Sequence, residues 1–443
     1  MAVASHSSSP IDPDATRIAS RARHRAAIRL LPFVFLLYIV NYLDRTSVAY
    51  AALGMAHDMG FSDRVIGLGA GFFFISYVAL QIPGALLVEV WSARRTIGTI
   101  LIAWGSLTML TAWIHTPAQL YSARFVLGVA EAGFFPGVIV YLSHWFIRED
   151  RAKATGNFMA AIPLSFVIGS PLAGWILGFQ WMGLQGWRWL FILEGVPAVF
   201  LGVIAFYYLT DWPRQAAWLA PEERQWIERT LEKEKPAEVR SITIWQALHS
   251  RIILILSAAA FFDYFLAYCL FFWLPTILQR EAGLSDLRVG LLGALPYAAG
   301  LVAMLINGWH SDRTGERRWH SAVPMFISAV GLVGLVAHPG SATLTIALFA
   351  MVAIGVSAFL PTFWAIPTEN LSAAAAAAGV GMVNGVGSVA GFLGPSIFGY
   401  LNTRTGSSTS GLVLMMMTAL ASGLLLLLLP RATRRGTGAP SIS

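Results

Sequence analysis

Four charged side chains stand inside long apolar runs of this sequence, and they come as two matched sets. Asp44 and Arg45 lie in the run 28–52, Arg124 and Glu131 in the run 119–142. If these runs cross a bilayer, a charge at the centre costs at least about 2.5–3.5 kcal/mol, so each is a candidate for function. Arg124 and Glu131 are seven residues apart, almost two helical turns, and share a face, with Gly128 between them leaving that face open to a close neighbour. Tyr38, Asn41, Tyr42 and Arg45 follow i, i+3, i+4, i+7 spacing and form one polar stripe. Arginine stays protonated, and its planar fork fits a carboxylate through two hydrogen bonds. Aspartate and glutamate can be neutralised where burial and like charge oppose ionisation. With both acids ionised the four groups sum to zero and attract no anion. Protonating one acid leaves a positive site, which is a physical means of coupling a proton to an anion. The competing reading is that the pairs only fix helix packing. Two acid-plus-arginine helices in one half weaken it, and the two roles can coexist.

The elements that must position these groups are apolar helices. The chain has 443 residues, 56% hydrophobic and only 12% charged, against about 25% charged in a soluble domain. The sequence predicts an all-α membrane protein of twelve transmembrane helices. The net charge of +7 sits in short segments between apolar runs, which argues for membrane orientation and against nucleic acid. Counting Lys and Arg puts 23 on one face and five on the other, with Arg45 and Arg124 inside spans. Both termini are therefore expected in the cytoplasm. The expected layout is a disordered cytoplasmic N-tail (1–27), a six-helix half (28–209), a cytoplasmic central loop (210–250), a second six-helix half (251–430) and a cytoplasmic C-tail (431–443). The central loop reads equally well as an amphipathic surface helix or as a solvated linker. Cys269 is the only cysteine and lies in an apolar run, so no intramolecular disulfide forms.

The halves repeat. Glu89 is followed by Arg94 and Arg95, and Asp312 by Arg317 and Arg318 at the same spacing, 223 residues later. Pro171 and Pro395, each flanked by glycines, are 224 residues apart. Two six-helix pseudo-repeats are a transporter architecture, with the substrate site near the midplane between them.

These residues resemble the major facilitator superfamily. Gly308-x-x-x-Asp312-Arg313-x-Gly315-Glu316-Arg317-Arg318 matches its loop motif, whereas the first-half copy has Val90 and Ser92 where Arg and Gly are expected. Within the superfamily the chain is similar to the anion:cation symporter family, on Asn41-Tyr42-Leu43-Asp44-Arg45, Tyr77-x-x-x-Gln81-Ile82-Pro83, the stretch from Arg124 to Pro136, and Trp187 to Gly195. The pattern Ala161 to Ser165 resembles the tartrate and phthalate permeases. The resemblance implies a major facilitator fold and symport of a small organic anion with protons, by alternating access in a bacterial inner membrane. It implies that Asp44 and Glu131 carry protons, that Arg124 regulates Glu131, and that Arg45 contacts the anion. Tyr42, Tyr77, Gln81, Trp364 and Asn384 are the remaining pocket candidates. Asn384 is the best of them, because an amide in lipid needs a partner. Glu89, Arg94, Arg95, Asp312, Arg313, Gly315, Arg317 and Arg318 form the conformational loop motifs.

Other acids are less legible. Glu194 is expected to pair structurally, with Arg188 as the candidate partner. Asp263 matches no family pattern and reads either as an acid hydrogen-bonded near a helix end or as a second-half proton site. His144 and His310 fall in loops, where a solvated histidine is the default. The chain has no HExxH, GxSxG, Walker loop or Cys/His metal spacing, so neither an enzyme nor a metal site or cofactor is expected. A monomer in membrane lipid is expected. The alternative function is proton-driven efflux of a drug or metabolite on the same fold, against which the paired arginines argue.

Overall fold

The computed structural model describes residues 13–234, 250–280, 282–337, 341–370 and 373–429. It is almost entirely helical, as a chain in lipid must be when every backbone N–H and C=O has to be satisfied within its own segment. The first half contains α1 (Pro13–Met59), α2 (Asp63–Val90), α3 (Ala93–Thr111), α4 (Pro117–Glu131), α5 (Phe134–Ser143), α6 (Arg148–Met159), α7 (Ala161–Leu177) and α8 (Gly186–Tyr208). A two-stranded ribbon (Gln180–Trp181 with Leu184–Gln185) links α7 to α8. After α9 (Pro221–Glu234), the second half holds α10 (Arg251–Arg280), α11 (Asp286–Thr314), α12 (Arg318–Ala337), α13 (Ala342–Asn370), α14 (Ala373–Thr405) and α15 (Thr409–Leu427). The pairs α4–α5 and α6–α7 each make one span, giving twelve.

Eleven of these spans are long and apolar enough to cross a membrane by length and composition among the described residues. The twelfth, α3, is 19 residues long. Arg94 and Arg95 in its first turn and four threonines dilute its apolar character. It nonetheless packs lengthwise on α8, as a span of the bundle does.

The two halves share one packing plan. In the first, α3 lies on α8, α2 on α4, and α1 on α7 and α8; in the second, α12 lies on α15, α11 on α13, and α10 on α14 and α15. The halves meet through α2 with α14, α7 with α11 and α1 with α10. The described polar and ring contacts across this seam cluster at one end. Arg280 makes a two-pronged ion pair with the buried Asp63, at 2.6 and 2.8 Å. Asn402 donates to the same carboxylate, and the Arg64 amide donates to Thr403 Oγ1 at 2.9 Å. Gly174 of α7 and Gly290 of α11 approach so closely that a Cβ on either would strike the other's backbone. This end is sealed.

The first helix starts earlier than expected. Residues 13–27, assigned from sequence to a disordered tail, form the opening turns of α1. The reason is anchoring: Arg23 pairs with Asp150 of α6 at 2.6 Å, and Arg25 with Glu223 of α9 at 3.0 Å. Glu223 is buried, so α9 is docked on α1. Residues 1–12, 235–249 and 430–443, which include the whole expected C-tail, lie outside the described residues.

Candidate functional site

The charged face of α4 packs on α2 across a glycine and meets the polar stripe of α1 at Glu131. A Cβ at Gly128 would collide with the Phe73 carbonyl of α2, so only glycine lets α2 and α4 come this close. Ser76 ties the two helices with a 2.6 Å hydrogen bond to the Phe125 carbonyl. That contact places Phe73 and Tyr77 over the arginines. The Arg45 guanidinium carbon lies 4.9, 5.0 and 5.4 Å from the ring centres of Tyr42, Tyr77 and Phe73. Arg124 lies 4.8 Å from the centre of Phe73.

Glu131 is fully buried at the last residue of α4, where the helix breaks before α5. Arg45 Nη2 donates to its Oε1 at 3.2 Å, and Asn41 Nδ2 donates to the same oxygen. Glu131 Oε2 has no partner. Asp44 faces the other way: its Oδ1 accepts from Thr108 of α3 at 2.6 Å, and its Oδ2 is unpartnered. Arg124 is 4% exposed, and its Nε and Nη1 find no acceptor. It forms no hydrogen bond with Glu131 among the described contacts.

Arg45 and Arg124 line a cavity between the halves, with Tyr42 and Phe73 on one side and Tyr268 and Phe271 on the other. Its volume is about 40 Å³, room for a few waters and less than an organic acid fills. The sealed end closes it: Phe74 packs on Tyr268 at 4.5 Å, and Phe166 on Phe271 at 4.4 Å.

Of the residues picked from sequence, Tyr42, Arg45, Tyr77, Arg124, Glu131 and Asp44 are brought together. Gln81, Trp364 and Asn384 do not line this cavity. Asn384 is half-buried and accepts from the Tyr264 hydroxyl at 3.2 Å. Asn41, a member of the polar stripe and absent from the expected pocket set, joins the site through Glu131, and its helical spacing is the signal that marks it. Thr108 and the aromatics of α10 carried no sequence sign, because they join the site only through packing of distant helices.

Glu194 does not pair with Arg188. Arg188 donates to the Ala112 carbonyl at 2.5 Å and lies 3.7 Å from Asp58, since it sits two turns from Glu194 at the helix start. Both oxygens of Glu194 are buried without a partner, and the side chain faces Asp44 and Ser47. Asp263 is likewise buried with both oxygens unpartnered. His144 is not solvated: it is buried, stacked on Trp212 at 4.0 Å and 3.2 Å from Glu89. His310 is exposed and lies 2.6 Å from His320.

In the second-half loop, Arg317 binds Asp312 at 2.6 Å, Arg318 caps the Leu427 carbonyl of α15, and Gly315 ends α11 in the left-handed region at φ 66°. In the first half Arg94 turns instead to Asp211, just beyond α8, at 3.5 Å.

The model of the Major Facilitator Superfamily matches residues 34–395 and, again, 256–441. The chain belongs to this superfamily. It is a multi-pass membrane transporter and not an enzyme, as the sequence resemblance implied. A protein of Agrobacterium vitis, provisionally named a tartrate transporter, is 40% identical over 95% of this chain and 97% of its own length. The quinolone resistance transporter of Acinetobacter baumannii is 36% identical over 88% of this chain and 91% of its own. The inner membrane transport protein RhmT of Escherichia coli is 36% identical, covering 90% and 93%. Among solved structures, a bacterial homologue of the human lysosomal transporter Spinster shares the fold, with TM-score 0.72 over 92% of this chain and 95% of that one, at 19% identity.

Proposed function

We propose that this protein carries a small organic anion across the membrane together with protons, by alternating access. The observation that carries the reading is the shared use of one Glu131 oxygen by Asn41 and Arg45 beside a cavity between the halves. While Glu131 is ionised, it holds Arg45. A proton on Glu131 releases that guanidinium, whose fork then suits a carboxylate. Asp44, one residue away and turned toward α3, is the second carboxyl able to take a proton. The relative named for tartrate supports an organic anion.

Orientation follows the Lys and Arg count, with both termini in the cytoplasm of a bacterial inner membrane. The sealed end then faces outward. A cysteine at Ser285, beside the seal, should react with an impermeant maleimide in intact cells; protection there would reverse the orientation.

The test of function is uptake into proteoliposomes. Organic acids are screened by counterflow, and those exchanged are then tested with an inward proton gradient. Accumulation that follows the gradient and collapses with a protonophore is the expected result. Exchange without accumulation would remove proton coupling, and no exchange of any organic acid would remove the anion. The relative named for quinolone resistance favours efflux as the second reading. Two guanidiniums in the cavity favour the first, because they repel cations.

A further inference from the structure

Two arginines reach the cavity, but only one is occupied. Arg45 is held by Glu131 at 3.2 Å. Arg124 is more deeply buried and lines the same cavity, yet no hydrogen bond or ion pair reaches it among the described residues. The acids nearest to it point their bonded oxygens elsewhere, Asp44 Oδ1 to Thr108 and Glu131 Oε1 to Asn41 and Arg45, and their free oxygens, Asp44 Oδ2 and Glu131 Oε2, make no hydrogen bond to it. A guanidinium carries five donors and cannot be relieved of its charge by losing a proton. Leaving such a group buried and unpaired is strongly unfavourable, and because Arg124 lines the cavity, a carboxylate entering there can supply the acceptors it lacks. The two guanidiniums also flank one ring, with their carbons 5.4 and 4.8 Å from the centre of Phe73.

Resting on the reading above, we infer that Arg124 is a direct ligand of the transported anion. It takes one carboxylate while Arg45, released from Glu131, takes another, so the site selects short dicarboxylates. This differs from a role for Arg124 exerted only through Glu131. A group acting only through Glu131 would affect every organic anion alike. A ligand for the second carboxylate affects dicarboxylates alone.

The experiment compares matched pairs in purified protein and in proteoliposomes: tartrate against threonate, and succinate against butyrate. Each monoacid replaces one carboxylate of its partner with a neutral end. The wild type should bind the diacid of a pair more tightly. Arg124→Gln should weaken diacid binding about tenfold to hundredfold and weaken the monoacid by much less. Arg124→Lys, which keeps the charge without the fork, should show the same selectivity at smaller size and covers the case in which the glutamine variant does not fold. Arg45→Lys should weaken both members of a pair. Equal loss for both acids in the Arg124 variants, or none, overturns the inference and leaves the transport reading intact, as does a wild type that prefers the monoacids. A wild type that exchanges no organic acid overturns both.

Discussion

The two halves of this transporter have the same helix packing and opposite charge content. The first buries Asp44, Arg124, Glu131 and Glu194 within its spans and half-buries Arg45 beside them. Among side chains described in the second half, the buried acid is Asp263, which has no cation beside it. To the cavity the first half brings both arginines, and the second brings aromatic faces, Tyr268, Phe271 and Phe272, with Pro395. Duplication of a scaffold therefore fixes where helices lie and leaves chemistry free to concentrate on one side. An ionised site in one half and a mostly apolar wall in the other is a sensible division for alternating access. On the proposed function, the anion and its protons stay with one rigid body while the other moves.

The loops differ in the same way. Asp312 holds Arg317 within one loop, whereas Glu89 meets the imidazole of His144, and Arg94 is taken by Asp211. The first-half copy, degraded in sequence at Val90 and Ser92, is rebuilt from partners outside the motif. Ser92 itself caps α3 and donates to Asp211 at 2.9 Å.

The asymmetry can be broken most severely at Glu131. Glu131→Gln mimics the protonated acid and should still exchange substrate. It should lose accumulation altogether, where one coupled proton supports about tenfold accumulation per pH unit in the wild type. Vesicles of this variant that still concentrate substrate on an inward proton gradient would move the proton elsewhere, to Asp44 first.

A smaller effect is expected in the loops. Asp312→Asn removes an ion pair that is exposed on the acid side, worth at most about 1 kcal/mol. Exchange should slow about two- to fivefold with equilibrium binding unchanged. Glu89→Gln should slow it less, because its partner is a histidine and Arg94 keeps Asp211. Stopped-flow and counterflow rates in the two variants decide the order, and equal slowing would mean that the loops work alike despite their different partners.

The smallest effect is predicted for Asp263→Asn. Both oxygens of Asp263 lack a described partner, and it does not line the cavity. Proton-driven accumulation should stay within about twofold of wild type, below 0.5 kcal/mol. Loss of accumulation in a folded, exchanging variant would give the second half a proton site and end the asymmetry.

The sequence by itself determined the class of molecule. Apolar runs in lipid have one solution, the helix, so twelve spans and two matching halves were legible from composition and from the spacing of Glu89 and Asp312. The four charges Asp44, Arg45, Arg124 and Glu131 were legible too, because a charge in an apolar run is costly, and helical periodicity fixes the faces of Arg45, Arg124 and Glu131; the turn of Asp44 toward Thr108 was not legible. Tertiary structure alone decided who pairs with whom. Spacing along one helix cannot say that Glu131 prefers Arg45, 86 residues away, over Arg124 on its own helix. Nor can it say that Glu194 turns toward Asp44 and away from Arg188, or that residues 13–27 continue as helix because Asp150 and Glu223 wait for their arginines. Those choices depend on the approach of separate helices, set here by residues as small as Gly128. A local pattern carries no information about which distant surface will arrive.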